Sequence, residues 1–179
     1  VFSGVGLLFD RQFGFLKETL VAPVPRTLIM VGRTLGSATN AVLQGTLVLT
    51  VCIIAGFRPV SWAQLPLAFL FMILIATVFA ALGTAMGSVL KDMQGFQIIM
   101  NFIVMPIFFL SGALFPLKNL PPVLQILTSL DPLSYGIDGL RTELIQVSHF
   151  GAPLDFTVLV IAAVAFIALG SYLFSKIEI

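Results

Sequence analysis

The stretch PVSWAQLPLAFLFMILIATVFAALGTAMGSVL, Pro59 to Leu90, runs for 32 residues without an Asp, Glu, Lys or Arg. A helix rises about 1.5 Å per residue, so roughly 20 apolar residues suffice to cross the hydrocarbon of a bilayer. Working outward, three further uncharged runs appear, from Thr34 to Phe57, from Met93 to Leu117 and from Phe156 to Ser175. A strand of a membrane β-barrel would alternate apolar and polar residues over about ten positions, whereas these runs are continuously apolar. The chain therefore reads as an all-α polytopic membrane helix bundle. Spans are expected at 34–57, 65–90, 96–117 and 155–175. The opening VFSGVGLLF ends at Asp10 as the tail of a helix would, so residues 1–9 are read as the end of a further span, with more membrane helix expected upstream.

Composition agrees: 59% of the residues are hydrophobic and 9% charged, against about 25% charged in soluble chains. A net charge of +1 argues against a nucleic-acid partner, and the single cysteine, Cys52, offers no disulfide framework. No phosphate-binding GxxxxGK[ST] loop, GxSxG or HExxH is present, and the one histidine, His149, falls outside the spans. None of the four runs holds an ionisable residue of the kind that ion-coupled carriers often use at membrane depth. No cofactor, metal or catalytic residue is expected, and any energy source for transport must lie in another chain.

Alternating loops place Arg11, Lys17, Arg26, Arg33, Lys91 and Lys176 on one side and Arg58, Lys118 and Arg141 on the other. The positive-inside bias makes the first side cytoplasmic, the C-terminus included. Residues 10–33 then form a cytoplasmic loop and residues 118–154 an exterior one. In the cytoplasmic loop Phe9, Phe13, Leu16 and Leu20 recur at helical spacing on one stripe, with Asp10, Arg11, Lys17 and Glu18 elsewhere, until Pro23 and Pro25 stop the pattern. Two readings of this amphipathic helix stand, anchoring along the membrane surface and docking against a protein partner. Arg26 and Arg33 flank the climb into the bilayer, where snorkelling to the headgroups accounts for them.

Within the spans, Gly83 and Gly87 have GxxxG spacing and imply close helix packing, within one subunit before a dimer seam. Pro106 is expected to kink or shorten the third span. Asn40, Gln44 and Asn101 either hydrogen-bond between helices or line a path for a solute. The exterior segment reads as two short amphipathic helices separated at Asp131-Pro132. The second carries Ile137, Leu140 and Leu144 on an apolar side and a possible Asp138–Arg141 pair on its polar face.

Two segments resemble the membrane subunit of type-2 ATP-binding cassette exporters, in the branch with daunorubicin-resistance and nodulation-factor or polysaccharide export permeases. One is Arg11-Gln12-Phe13-Gly14-Phe15-Leu16-Lys17-Glu18 followed by Leu20, Ala22-Pro23 and Pro25-Arg26; the other is FFLSGALFPLKNLPPVLQILTSLDPLSYGIDGLR, Phe108 to Arg141. Pro25 stands where serine is the more usual residue. The resemblance implies six spans in the full protein and a partnership with a cytoplasmic ATP-binding cassette ATPase, which would bind the ATP. It also implies a second permease subunit and a multi-pass position in the cell membrane. The opening helix would be the coupling helix, with Phe13, Phe15, Leu16 and Leu20 in the ATPase groove, Arg11, Lys17 and Glu18 at its rim, and Gly14 between them. The expected cargo is an amphipathic drug, lipid or lipid-linked saccharide. The alternatives are an ion-coupled carrier or channel, for which Asn40, Gln44 and Asn101 speak, and a non-transporting scaffold or intramembrane enzyme.

Overall fold

A computed structural model describes residues 2–15, 24–90, 92–114 and 121–176. Seven α-helices occur among the described residues: α1 (Phe2–Gln12), α2 (Arg26–Ile54), α3 (Leu65–Val89), α4 (Met93–Leu110), α5 (Pro122–Leu130), α6 (Pro132–Ile145) and α7 (Ala152–Ser175). A single 3-10 turn, Trp62–Gln64, leads into α3. The helices α2, α3 with its lead-in turn, α4 and α7 are long and apolar enough to cross a membrane, and the chain is a multi-pass membrane protein.

Glycines in the left-handed region set several ends. The α2 helix stops where Gly56 (φ 107) lets Phe57 N reach Cys52 O at 2.9 Å and its own N reach Ile53 O at 3.1 Å, a Schellman closure of the orphan carbonyls. At its other end α2 starts at Arg26, eight residues before the expected Thr34, because nothing after Pro25 opposes helix. Pro106 is accommodated inside α4, which ends at Leu110 ahead of Gly112 (φ 77). At 18 residues α4 reaches about 27 Å, slightly short of the hydrocarbon thickness. Positions 115–117 of the expected third span lie outside the described residues.

The chain divides into two compact units. The first takes residues 1–40, 76–102 and 163–179. Its core is Leu7, Met30, Ala81 and Phe174, with Ile29, Phe166 and Ile167 packed against it. Gly170 admits the end of the Met30 side chain, which a Cβ there would displace.

The second unit takes residues 41–75 and 103–162. Here α6 lies against α3 through Gly136 and Gly139, whose missing side chains are replaced by Ile75 and Phe71. The Phe71 ring in turn meets Phe156 edge-on at 6.5 Å. Consequently α6 buries Ser134, Tyr135, Asp138 and Glu143, a polar and small face, while Leu140 and Leu144 are only half-buried. The face expected to be polar, with Asp138 on it, is thus the buried one. The expected Asp138–Arg141 pair is also absent: Arg141 Nη2 donates to Gly112 O at 2.8 Å, while Asp138 accepts from the backbone N–H groups of His149 and Phe150 at 2.7–2.9 Å. Paired in this way, a carboxylate can be buried without an uncompensated desolvation cost.

Asp131 caps α6, its Oδ1 accepting from Leu133 N at 2.9 Å and its Oδ2 from Ser134 Oγ at 3.3 Å. Burial raises its carboxyl from the ordinary 3.8 to about 6, against the pull of those two donors. The folded chain therefore holds this proton more tightly than the unfolded one, so the group stabilises the fold at low pH and that contribution is lost as pH rises from about 4 through 6. The melting temperature should fall across this window in the native protein relative to Asp131→Asn, which keeps a capping oxygen without titrating. Asp131→Ala should cost about 1 kcal/mol through loss of the cap.

Candidate functional site

The residues singled out for coupling begin at the end of α1, inside the first unit. Phe13 N closes the last turn on Phe9 O at 2.9 Å, and the two rings stack with centroids 6.1 Å apart. Gly14 then takes φ 82, which ends the helix at this point. The single amphipathic helix expected from Phe9 to Leu20 is thus interrupted, because a left-handed residue cannot continue a right-handed helix. Phe13, just before that break, and Phe15, just after it, stand 69% and 58% exposed. Leu16, Lys17, Glu18 and Leu20 lie outside the described residues.

Three guanidiniums tie the helices together near this end, two of them holding α1. Arg11 Nη1 donates to Leu90 O at 3.0 Å, at the carbonyl end of α3. Arg33, on α2, forms an ion pair with Asp10 of α1. Arg26 Nη1 donates to Ser175 O at 2.9 Å, at the carbonyl end of α7. Each helix C-terminus leaves orphan carbonyls and the negative end of a dipole, so cations fit there on both counts. Arg26 and Arg33, read from sequence as snorkelling residues, therefore join helices to one another, and Arg11 ties α1 to α3.

Behind this end, α1 and α3 approach almost backbone to backbone. A Cβ on Gly87 would lie 2.8 Å from Gly4 Cα and Gly4 O, and a Cβ on Gly4 would run into Gly83 O. The hydroxyls of Ser3 and Thr84 bond across the same contact, and Thr34 of α2 reaches Thr84 at 3.4 Å. Thr84 and Ser88 also bond back to Ala80 O and Thr84 O, which leaves this buried hydroxyl group internally satisfied. In the structure the partner of the Gly83/Gly87 spacing is Gly4 of the same chain.

Asn40 and Gln44 are exposed one turn apart on α2, and Asn101 is exposed on α4. Gln44 lines a cavity in the second unit to which neither Asn40 nor Asn101 contributes.

Sequence reasoning missed the Asp138 network and Asp155, which is buried beside Asp138 in the first turn of α7. The available signal was Gly136-x-x-Gly139. Small residues three apart let a neighbouring helix approach and bury the residue between them.

The sequence pattern of the family described as ABC-2 type transporter matches residues 1–145. The inner membrane transport permease YadH of Escherichia coli strain K12 is 30% identical over 165 residues, covering 92% of this chain and 62% of its own. The ycf38 protein of Pyropia yezoensis is 36% identical over 144 residues, 78% of this chain and 48% of its own. Nodulation protein J of Sinorhizobium fredii is 30% identical over 136 residues, 76% of this chain and 51% of its own. The chain spans about half to three fifths of the length of these relatives. With a family match over residues 1–145 and a transport permease 30% identical across 92% of its residues, this chain belongs to the ABC-2 type transporter family.

Proposed function

We propose that the chain is the permease part of an ATP-driven exporter, without catalytic residues of its own, and that the segment from Arg11 through Leu20 is its contact with a separate ATP-binding cassette ATPase. The observation that carries this reading is the pairing of exposed Phe13 and Phe15 with a rigidly braced α1. Exposed aromatic surface at the end of a helix, Phe13 above all at 69%, is of the kind that another chain covers. The brace gives such a contact mechanical consequence. Asp10 is held by α2, Arg11 by α3, and Gly4 is locked against Gly87. A displacement applied at Phe13 therefore moves α1 together with the parts of α2 and α3 in the first unit. Nucleotide-driven closure of an ATPase supplies the differential binding that such a shift needs.

In this reading the side of the membrane bearing Phe13 and the C-terminus is cytoplasmic, two permease halves face each other, and the cargo is an amphipathic drug, lipid or lipid-linked saccharide. The inner membrane transport permease among the relatives supports a permease role in transport. Phe13→Asp combined with Phe15→Asp in the full-length protein should leave the permease folded and membrane-inserted, while ATPase co-purification and ATP-dependent transport in vesicles fall by an order of magnitude or more. Full transport with a stoichiometric ATPase in that variant would overturn the proposal.

A further inference from the structure

The second unit contains a cavity of about 650 Å³ for which the coupling reading has no use. Its walls come from α2 through Gln44, Val48 and Cys52, one turn apart, from α3 through Met72, and from α6 through Leu140 and Leu144. No charged residue lines it, and the Gln44 amide is its principal polar group. The walls are fixed. Gly45 lets Met72 lie against α2, where a Cβ would come within 2.6 Å of the methionine methyl. The α6 wall is pinned to α3 through Gly136 and Gly139, and its far end is held by the bond from Val60 N to Leu144 O at 3.0 Å.

We propose that this cavity is a resident site for one acyl chain of a bilayer phospholipid. An apolar cavity offers water too few partners to fill it, and apolar matter enters such spaces in preference. The volume lies inside the roughly 300–1,000 Å³ range of ligand pockets. Two of its walls belong to membrane-crossing helices. The rim continues into exposed apolar side chains of α2: Val48 itself is 59% exposed, with Leu47 and Val51 beside it. The matter that meets such a surface inside a bilayer is hydrocarbon, so a lipid chain reaches the cavity without crossing a polar barrier. The chain fills the space between α2, α3 and α6 and so bears on how firmly α6 is seated.

The test uses the full-length protein in nanodiscs of phosphatidylcholine and phosphatidylethanolamine carrying a photoactivatable diazirine in one acyl chain, with no other amphiphile and no ATPase present. After irradiation, peptide mapping should find adducts on Val48, Met72 or Leu144. In Val48→Trp these wall adducts should fall by about an order of magnitude because the indole takes the volume, while adducts on exposed Ile161 of α7 stay unchanged. Leu144→Trp, filling from the opposite wall, should do the same and covers the case in which the first variant does not fold. Wall positions that stay unlabelled in the native protein, or labelling indifferent to both tryptophans, would overturn the proposal, whether another copy, another part of the chain or a transported amphiphile occupies the space. Because the ATPase is absent, failure here leaves the coupling reading standing, and the reverse holds too.

Discussion

Replacing Gly87 with leucine is expected to destroy the folded first unit. The new Cβ alone would sit 2.8 Å from the Cα and carbonyl oxygen of Gly4, and backbone on a packed helix cannot give way as a side-chain tip can. Overpacking costs typically about 1–3 kcal/mol where side chains can shift, so about 3 kcal/mol is the lower end to expect here. Separation of α1 from α3 would also break the Ser3–Thr84 hydroxyl bond and pull Arg11 from Leu90 O. Gly36→Leu is the matched control, since a Cβ on Gly36 meets nothing within 4 Å. Thermal unfolding in detergent, followed by size-exclusion profile, should show a collapsed or sharply lowered transition for Gly87→Leu and a native one for Gly36→Leu. Equal melting temperatures would mean that the two helices do not touch at this place.

The second large effect is expected at Asp138. Its carboxylate accepts from His149 N at 2.8 Å and Phe150 N at 2.7 Å and lies 3.5 Å from Ser148 Oγ. These donors hold the turn before α7 onto α6, which also brings the Phe150 ring within 4.7 Å of Tyr135. A hydrogen bond to a charged group contributes about 1.5–3 kcal/mol, so losing two backbone donors in Asp138→Ala should cost about 3–5 kcal/mol. Asp138→Asn keeps one acceptor oxygen and should lose about half of that. The signature is local: amide exchange at 146–151 should speed up far more than exchange within α3. An alanine variant with unchanged protection of that turn would contradict the network.

The spans were legible because a bilayer demands apolar helices of a set length, and that demand is written in the spacing of charges. The Gly83/Gly87 contact was legible as a small-residue spacing, but its partner was not, since a lone Gly4 in a short apolar stretch carries no periodic signal. The helix break at Gly14 was hidden by the regular spacing of Phe9, Phe13, Leu16 and Leu20, a pattern that says which residues share a face but not whether the backbone stays helical. Arg11, Arg26 and Arg33 were visible as topology markers, yet what they hold is Leu90 O, Ser175 O and Asp10, two of them carbonyls that any residue type would provide. Asp138 misled most. Amphipathic reasoning sends a carboxylate to water, whereas here backbone donors 11 and 12 residues further on take the place of water.

The central claim is that the Phe13–Phe15 turn is gripped by an ATP-hydrolysing partner, and site-specific photocrosslinking tests it most directly. With p-benzoylphenylalanine at position 13 or 15 of the full-length protein in native membranes, irradiation should yield one protein adduct that contains an ATP-binding cassette ATPase, and its yield should change between nucleotide-free and ATP-trapped membranes. Adducts with lipid alone at both positions, in membranes where the permease is folded, would contradict the account.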